Sequence, residues 1–289
     1  MPKKRLIASI LVLNDLAVQS IGFGKYLPIG KPAIAVEYLN QWGIDEITIL
    51  DINPDRQETG PNISVISEAA KHSLVPLTYG GGISTVKHMR EAIKNGADKV
   101  SINTAAIKNP SLINEGASVF GDQAIIVSLD CKEVDGSYKV FINSGKTEAN
   151  IELIPFLKQC EDLGAGEFLI SSIDHDGSKK GFDIPLINTV SKAVKIPVIA
   201  FGGANQPSHF ETCFKETEVT AAAAGNMFNY IEHSVILVKK YLRDKGIDVR
   251  LDTYASYEDH KLSRQERLLK KEDQELLNLR FTHVEEEVI

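Results

Sequence analysis

The sequence predicts a (β/α)8 barrel. Three observations point to it. Eight short apolar or β-branched runs alternate with segments of helical period; together they fill about 250 residues; and two glycine motifs that end strands recur at about half that length.

In chain order the strand candidates are RLIASILV (5–12), EITILDI (46–52), VPLTYGG (75–81), KVSINT (99–104), AIIVSLDC (124–131), EFLISSI (167–173), PVIAFGG (197–203) and TAAAAG (220–225). Such runs suit parallel strands covered on both faces. A helical segment follows each. The third strand shows the signals clearly, with Ser84 as the N-cap of TVKHMREAIKNG and Gly96 just past its end. VDGSYKVFINSGK (134–146) reads as a hairpin inserted after the fifth strand, with Asp135-Gly136 as turn residues. A doubly wound open sheet is the runner-up, and the lack of an early G-x-G-x-x-G counts against it. The barrel should span residues 1–251. The charged tail, 252–289, carries Leu262, Leu268, Leu269, Leu276 and Leu279 at loose helical spacing and predicts an appended amphipathic helix.

Composition narrows the function classes. A chain of 289 residues with 43% hydrophobic and 25% charged side chains is globular, and a net charge of −7 gives no support to nucleic-acid or anionic-membrane binding. No stretch reaches the roughly 18 apolar residues that a membrane helix needs. Cys131, Cys160 and Cys213 form no C-x-x-C pair, so neither a disulfide framework nor a zinc site is suggested, and a reducing cytoplasm fits. No cofactor is called for. Small molecules and proteins are the expected partners.

An internal repeat then defines the candidate site. VPLTYGGGIS (75–84) lies on IPVIAFGGAN (196–205) at a displacement of 121 residues. Nearly the same displacement lays Ala8-Ser9-Ile10-Leu11-Val12 on Val127-Ser128-Leu129-Asp130-Cys131. One half of the barrel thus presents Asp130 at the mouth of its first strand, and the other presents Leu11. The glycine turns suit anions, because backbone without Cβ lets N–H groups close on a phosphate beside a helix N-terminus. Gly82 would act with Asn103 and Thr104, and Gly203 with Asp176-Gly177 and Ala224-Gly225. Two symmetric sites for a phosphorylated small molecule follow.

GADKVSINTAAIKNP, LGAGEFLISSIDHDGSKKGFD and PVIAFGGA resemble the cyclase subunit of imidazole glycerol phosphate synthase, over residues 3–251. The resemblance implies a barrel that partners a glutaminase on its N-terminal face, conducts ammonia through its interior, and acts on a substrate with a phosphate at each end. It implies a charged gate of Arg5, Glu46, Lys99 and Glu167, a partner-docking role for Asp98, and Gly225 where a serine is usual. It also exposes departures: Leu11 for a catalytic aspartate, Gln19 for a lysine and Ser9 for a cysteine. Leu11 and the stretch GFGKYLPIGKPAIAVEYLN are similar to a divergent branch tied to surface-polysaccharide biosynthesis. There the barrel passes ammonia to an ATP-dependent sugar amidotransferase that turns an acetamido group on a nucleotide sugar into an acetamidino group. Three functions are therefore expected, in this order: an ammonia-conducting subunit of sugar amidination, a histidine-pathway cyclase, and a scaffold that activates a glutaminase without conducting ammonia. Trp42 and the seven histidines form no readable motif, and His175 reads as a surface-loop residue.

Overall fold

The computed structural model describes residues 3–230, 233–251, 260–269 and 272. The chain opens with β1 (Arg5–Leu13), β2 (Leu16–Ile21), β3 (Lys25–Gly30), α1 (Pro32–Gln41), β4 (Glu46–Asp51), α2 (Arg56–Thr59) and α3 (Ile63–Ala70). Next come β5 (Leu77–Gly80), α4 (Val86–Lys94), β6 (Lys99–Ile102), α5 (Thr104–Lys108) and α6 (Ser111–Phe120). The second half runs through β7 (Ile125–Val134), β8 (Ser137–Ile142), β9 (Thr147–Glu148), α7 (Leu153–Asp162), β10 (Glu167–Ser172) and α8 (Ile184–Ser191). It finishes with β11 (Val198–Phe201), α9 (Pro207–Glu216), β12 (Ala221–Ala224), α10 (Asn226–Tyr230) and α11 (Ser234–Asp244).

Eight of these strands close a parallel barrel in the order β1, β4, β5, β6, β7, β10, β11, β12. Arg5 pairs with Ala221 to join β12 to β1, and Ile7 with Glu46 to join β1 to β4. The eight-strand parallel barrel with helices between strands is the architecture that the sequence predicts. Side chains alternate across each strand, so one set packs outward against the helices while the other fills the axis. The axial set forms its own apolar cluster of Ile7, Ile126, Leu169, Ile199, Ala221 and Ala223.

Helix starts repeat between the halves. The Asn62 side chain caps α3 by accepting from Val65 N, and Asp183 caps α8 by accepting from Leu186 N. The N-cap of α4 is Thr85, whose hydroxyl accepts from His88 N at 3.1 Å. Ser84, expected there, stands one residue too early and turns to the His88 ring instead.

Two hairpins rise from the mouth, one per half. β7 continues into β8 through Asp135-Gly136, as the sequence predicts, with φ of 50° and 75°. β1 likewise continues into β2 through Asn14-Asp15, with φ of 51° and 61°. Paired left-handed residues are what a two-residue turn needs to match the strand twist. The first hairpin was not foreseen, because Asn-Asp is a weaker signal than Asp-Gly.

The tail departs from expectation where it is described. Leu262 and Leu268 form an antiparallel bridge around a tight turn, so residues 260–269 are not helical. At that turn the Glu266 carboxylate accepts from Ser208 N, in the first turn of α9, at 2.7 Å. A capping anion from outside satisfies a donor that no helical carbonyl can reach. Leu276 and Leu279 lie outside the described residues.

Candidate functional site at the barrel mouth and floor

Asp130 and Leu11 occupy equivalent registers at the mouth. Asp130 pairs with Ser171 on the neighbouring strand β10 and with Phe141 in its hairpin; Leu11 pairs with Leu50 on the neighbouring strand β4 and with Val18 in its hairpin. Asp130 is 8% exposed. Burial raises its pKa to about 6, against the pull of hydrogen bonds from Asn103 and Ser171 that favour the carboxylate. A group poised there can give or take a proton near neutral pH. Asn103 was expected at an anion site, but its side-chain amide donates to Asp130 Oδ2 at 3.0 Å. Its role in this geometry is to hold the carboxylate.

The glycine turns have the predicted form. Gly82 has φ 68° and approaches Gly60 so closely that a Cβ would meet the Gly60 carbonyl at 2.6 Å. Gly203 has φ 96° and would meet the Gly181 carbonyl at 2.0 Å. Both pairs are 121 residues apart, the displacement of the repeat. Among the described residues no protein acceptor meets the N–H groups of Gly82, Gly203 or Gly225. They are free to face an anion. A Cβ at Gly225 would stand 2.9 Å from the Ser9 carbonyl, so glycine suits this close approach of β1 to the end of β12.

A cleft of about 230 Å³ opens over the second-half turn, between Leu11, Gln19, Gly177, Lys179, Ala204 and Gly225. Ala224 lines it as well. Asp176 sits at its edge, but its carboxylate is taken up in accepting from Ser20 Oγ at 2.6 Å and Phe23 N at 3.1 Å. A carboxylate repels phosphate, so the Asp176 side chain anchors the first hairpin rather than holding a ligand. Asn226 completes that anchor by donating to Ser20 O at 2.7 Å. The other half mirrors this arrangement. Asn143, beyond β8, donates its N–H to Thr104 Oγ1 at 3.4 Å and accepts from Gln57 at 3.0 Å. Each hairpin therefore leans over the glycine turns beside it, the first across β12 and the second across β6. His175 is half-buried and its Nδ1 meets Gly181 O at 2.7 Å, which pins the loop beneath Gly203.

At the floor the four predicted charges come together. Arg5 bonds both Glu46 and Glu167, and Lys99 reaches the same two carboxylates at 3.2 Å each. Cations and acids alternate around a closed ring. Strand alternation carries each of these positions upward along the axis: Arg5 leads to Ile7, Ser9 and Leu11, and Glu167 to Leu169 and Ser171. Floor and mouth are thus the two ends of one inward-facing column. Ser9 Oγ and Ser101 Oγ, midway along it, have no hydrogen-bond partner among the described residues. Asp98 is exposed on the same floor, and its carboxylate accepts from Leu77 N at 2.7 Å.

A closed parallel barrel with duplicated glycine turns at one end and a ring of paired charges at the other defines a class: (β/α)8 barrels built from two half-barrel repeats. Comparison with known proteins narrows it further. The family described as "Histidine biosynthesis protein" matches residues 5–234. The chain is 41% identical, over 91% of its length and 96% of the relative's, to a putative imidazole glycerol phosphate synthase subunit hisF2 of Vibrio vulnificus. It is also 41% identical, over 86% of its length and 99% of the relative's, to the imidazole glycerol phosphate synthase subunit HisF of Natranaerobius thermophilus. The chain belongs to the histidine-biosynthesis cyclase family. Among the described residues no helix is long and apolar enough to cross a membrane.

Proposed function

We propose that this chain is the ammonia-accepting barrel subunit of an imidazole glycerol phosphate synthase, cyclising a substrate with a phosphate at each end. In this reading Gly82 and Thr104 hold one phosphate, and Gly177, Gly203, Ala224 and Gly225 hold the other. Asp130 moves the protons. A separate glutaminase docks on the floor near Asp98, and ammonia enters past Arg5, Glu46, Lys99 and Glu167. Both relatives bear the name of the synthase, which favours cyclisation over the sugar-amidination role that the sequence put first. The observation that carries the proposal is Asp130, a buried carboxylate with a pKa near 6 between two glycine turns 121 residues apart.

Leu11 favours a second reading. Leucine can neither donate nor accept a proton, and losing one of two positioned acid/base groups costs about 10² to 10⁴-fold in rate. A barrel so handicapped could serve by conducting ammonia to an ATP-dependent sugar amidotransferase. One assay separates the two: formation of imidazole glycerol phosphate from its bis-phosphate precursor with ammonium salts and no glutaminase. The cyclase reading predicts slow but real turnover that Asp130→Asn lowers by about 10² to 10⁴-fold. No turnover, from protein that still binds phosphate, would replace it with the sugar reading.

A further inference from the structure

The anion turns are held from behind by a matched pair of histidines. His88 lies in the first turn of α4 and His209 in the first turn of α9, and they are 121 residues apart like the glycines they support. His88 Nδ1 accepts from Ser84 N at 3.4 Å and meets Ser84 Oγ at 3.2 Å. His209 Nδ1 accepts from Asn205 N at 3.2 Å. Each ring also abuts the second glycine of its half. A Cβ at Gly60 would stand 3.1 Å from His88 Nε2, and one at Gly181 would stand 3.5 Å from His209. The layout is the same twice: Gly-Gly, five residues, histidine, in GGISTVKH and GGANQPSH.

Helix geometry explains the spacing. Each histidine is the third residue of its helix, the position from which a side chain reaches back over the N-terminus to a backbone N–H. Here the reach extends one residue further, to the end of the glycine turn. An Nδ1 that accepts must carry no proton, so the ring is neutral with its hydrogen on Nε2. Burial lowers the pKa of His209, in keeping with that state, while the nearby Glu266 carboxylate works the other way. The bond uses the N–H at the end of each turn. The N–H groups of Gly82 and Ile83, and of Gly203 and Ala204, remain without a protein acceptor among the described residues.

We propose that His88 and His209 are positioning residues for the two anion sites, each fixing its glycine turn so that the free N–H groups converge on a phosphate. The inference rests on the phosphate reading given above. Its test is calorimetric titration of the purified chain with inorganic phosphate at pH 8. The unaltered protein should bind at two sites. H209F, which keeps the ring's bulk but removes the acceptor, should weaken one site about tenfold, the scale of losing support behind a ligand-holding group. It should leave the other site unchanged, and H88F should do the reverse. H209N places an oxygen as many bonds from Cα as Nδ1 and should restore binding. A general packing defect would not spare one site or be rescued by asparagine. If H209F does not fold, H209A carries the same expectation. Equal phosphate affinity in H209F, H209A and the unaltered protein would overturn the histidine proposal alone. No phosphate binding by the unaltered protein would overturn the anion-site reading itself.

Discussion

Asp130 carries the chemistry proposed for the mouth, and its environment makes two measurable demands. Asp130→Asn should lower ammonium-dependent cyclisation by about 10² to 10⁴-fold, since no second acid/base faces it. It should also change stability with pH. Burial raises the folded pKa from 3.8 to about 6, so the stability tied to the protonated group is complete below pH 4 and lost as pH rises through about 6. Asp130→Asn should therefore raise the melting temperature above pH 6, an effect worth about 2–3 kcal/mol, and leave it unchanged below pH 4. Leu11→Asp tests the opposite position, with ammonium-dependent turnover expected to rise. An unchanged rate would mean that Gln19 and Ser9 limit the site instead. Leu11, Asp130 and the four floor charges were legible in the sequence, because a repeat and long motifs give such residues fixed addresses. The side-chain partners were not. Asn103 turns to the Asp130 carboxylate on the next strand, and Asp176 turns to Ser20 because the first hairpin brings new donors to the mouth. His88 and His209 were missed, although the displacement of 121 that aligned the glycines also aligns them.

The glycine turns work as elements only because two loops approach within backbone contact. Gly203→Ala would drive a Cβ to 2.0 Å from the Gly181 carbonyl at a φ of 96°. The change should destabilise the chain by more than about 1 kcal/mol and remove phosphate binding in the second half, as thermal melts in phosphate buffer would report. Capping predicts a milder effect. Thr85→Ala removes the side-chain acceptor at the start of α4 and should cost about 1 kcal/mol, read from denaturant midpoints. Strands and helices were legible because eight units of alternating period leave little freedom in a barrel. Two elements escaped for physical reasons. Asn14-Asp15 adopts the same left-handed pair as Asp135-Gly136 without the glycine that announces it. The leucine spacing in the tail suited a helix, yet over residues 260–269 the chain bends back to place Glu266 on α9.

Across the whole molecule, the fold puts the charge ring and the acid/base at the two ends of one inward-facing column, with Arg5 and Glu167 at the foot of β1 and β10 and Asp130 at the head of β7 beside Ser171. The apolar cluster between them disfavours ions, so a neutral amine is the form of ammonia suited to that column. In the proposed function the ring is what a docked glutaminase faces. Breaking it should uncouple the two reactions without stopping either. The most direct test compares product formed from glutamine, with the glutaminase present, against product formed from saturating ammonium salt. Lys99→Ala should lower the glutamine-supported rate several-fold and leave the ammonium-supported rate near that of the unaltered protein. A ratio of the two rates that does not move, or a glutaminase that fails to bind the chain at all, would contradict the account.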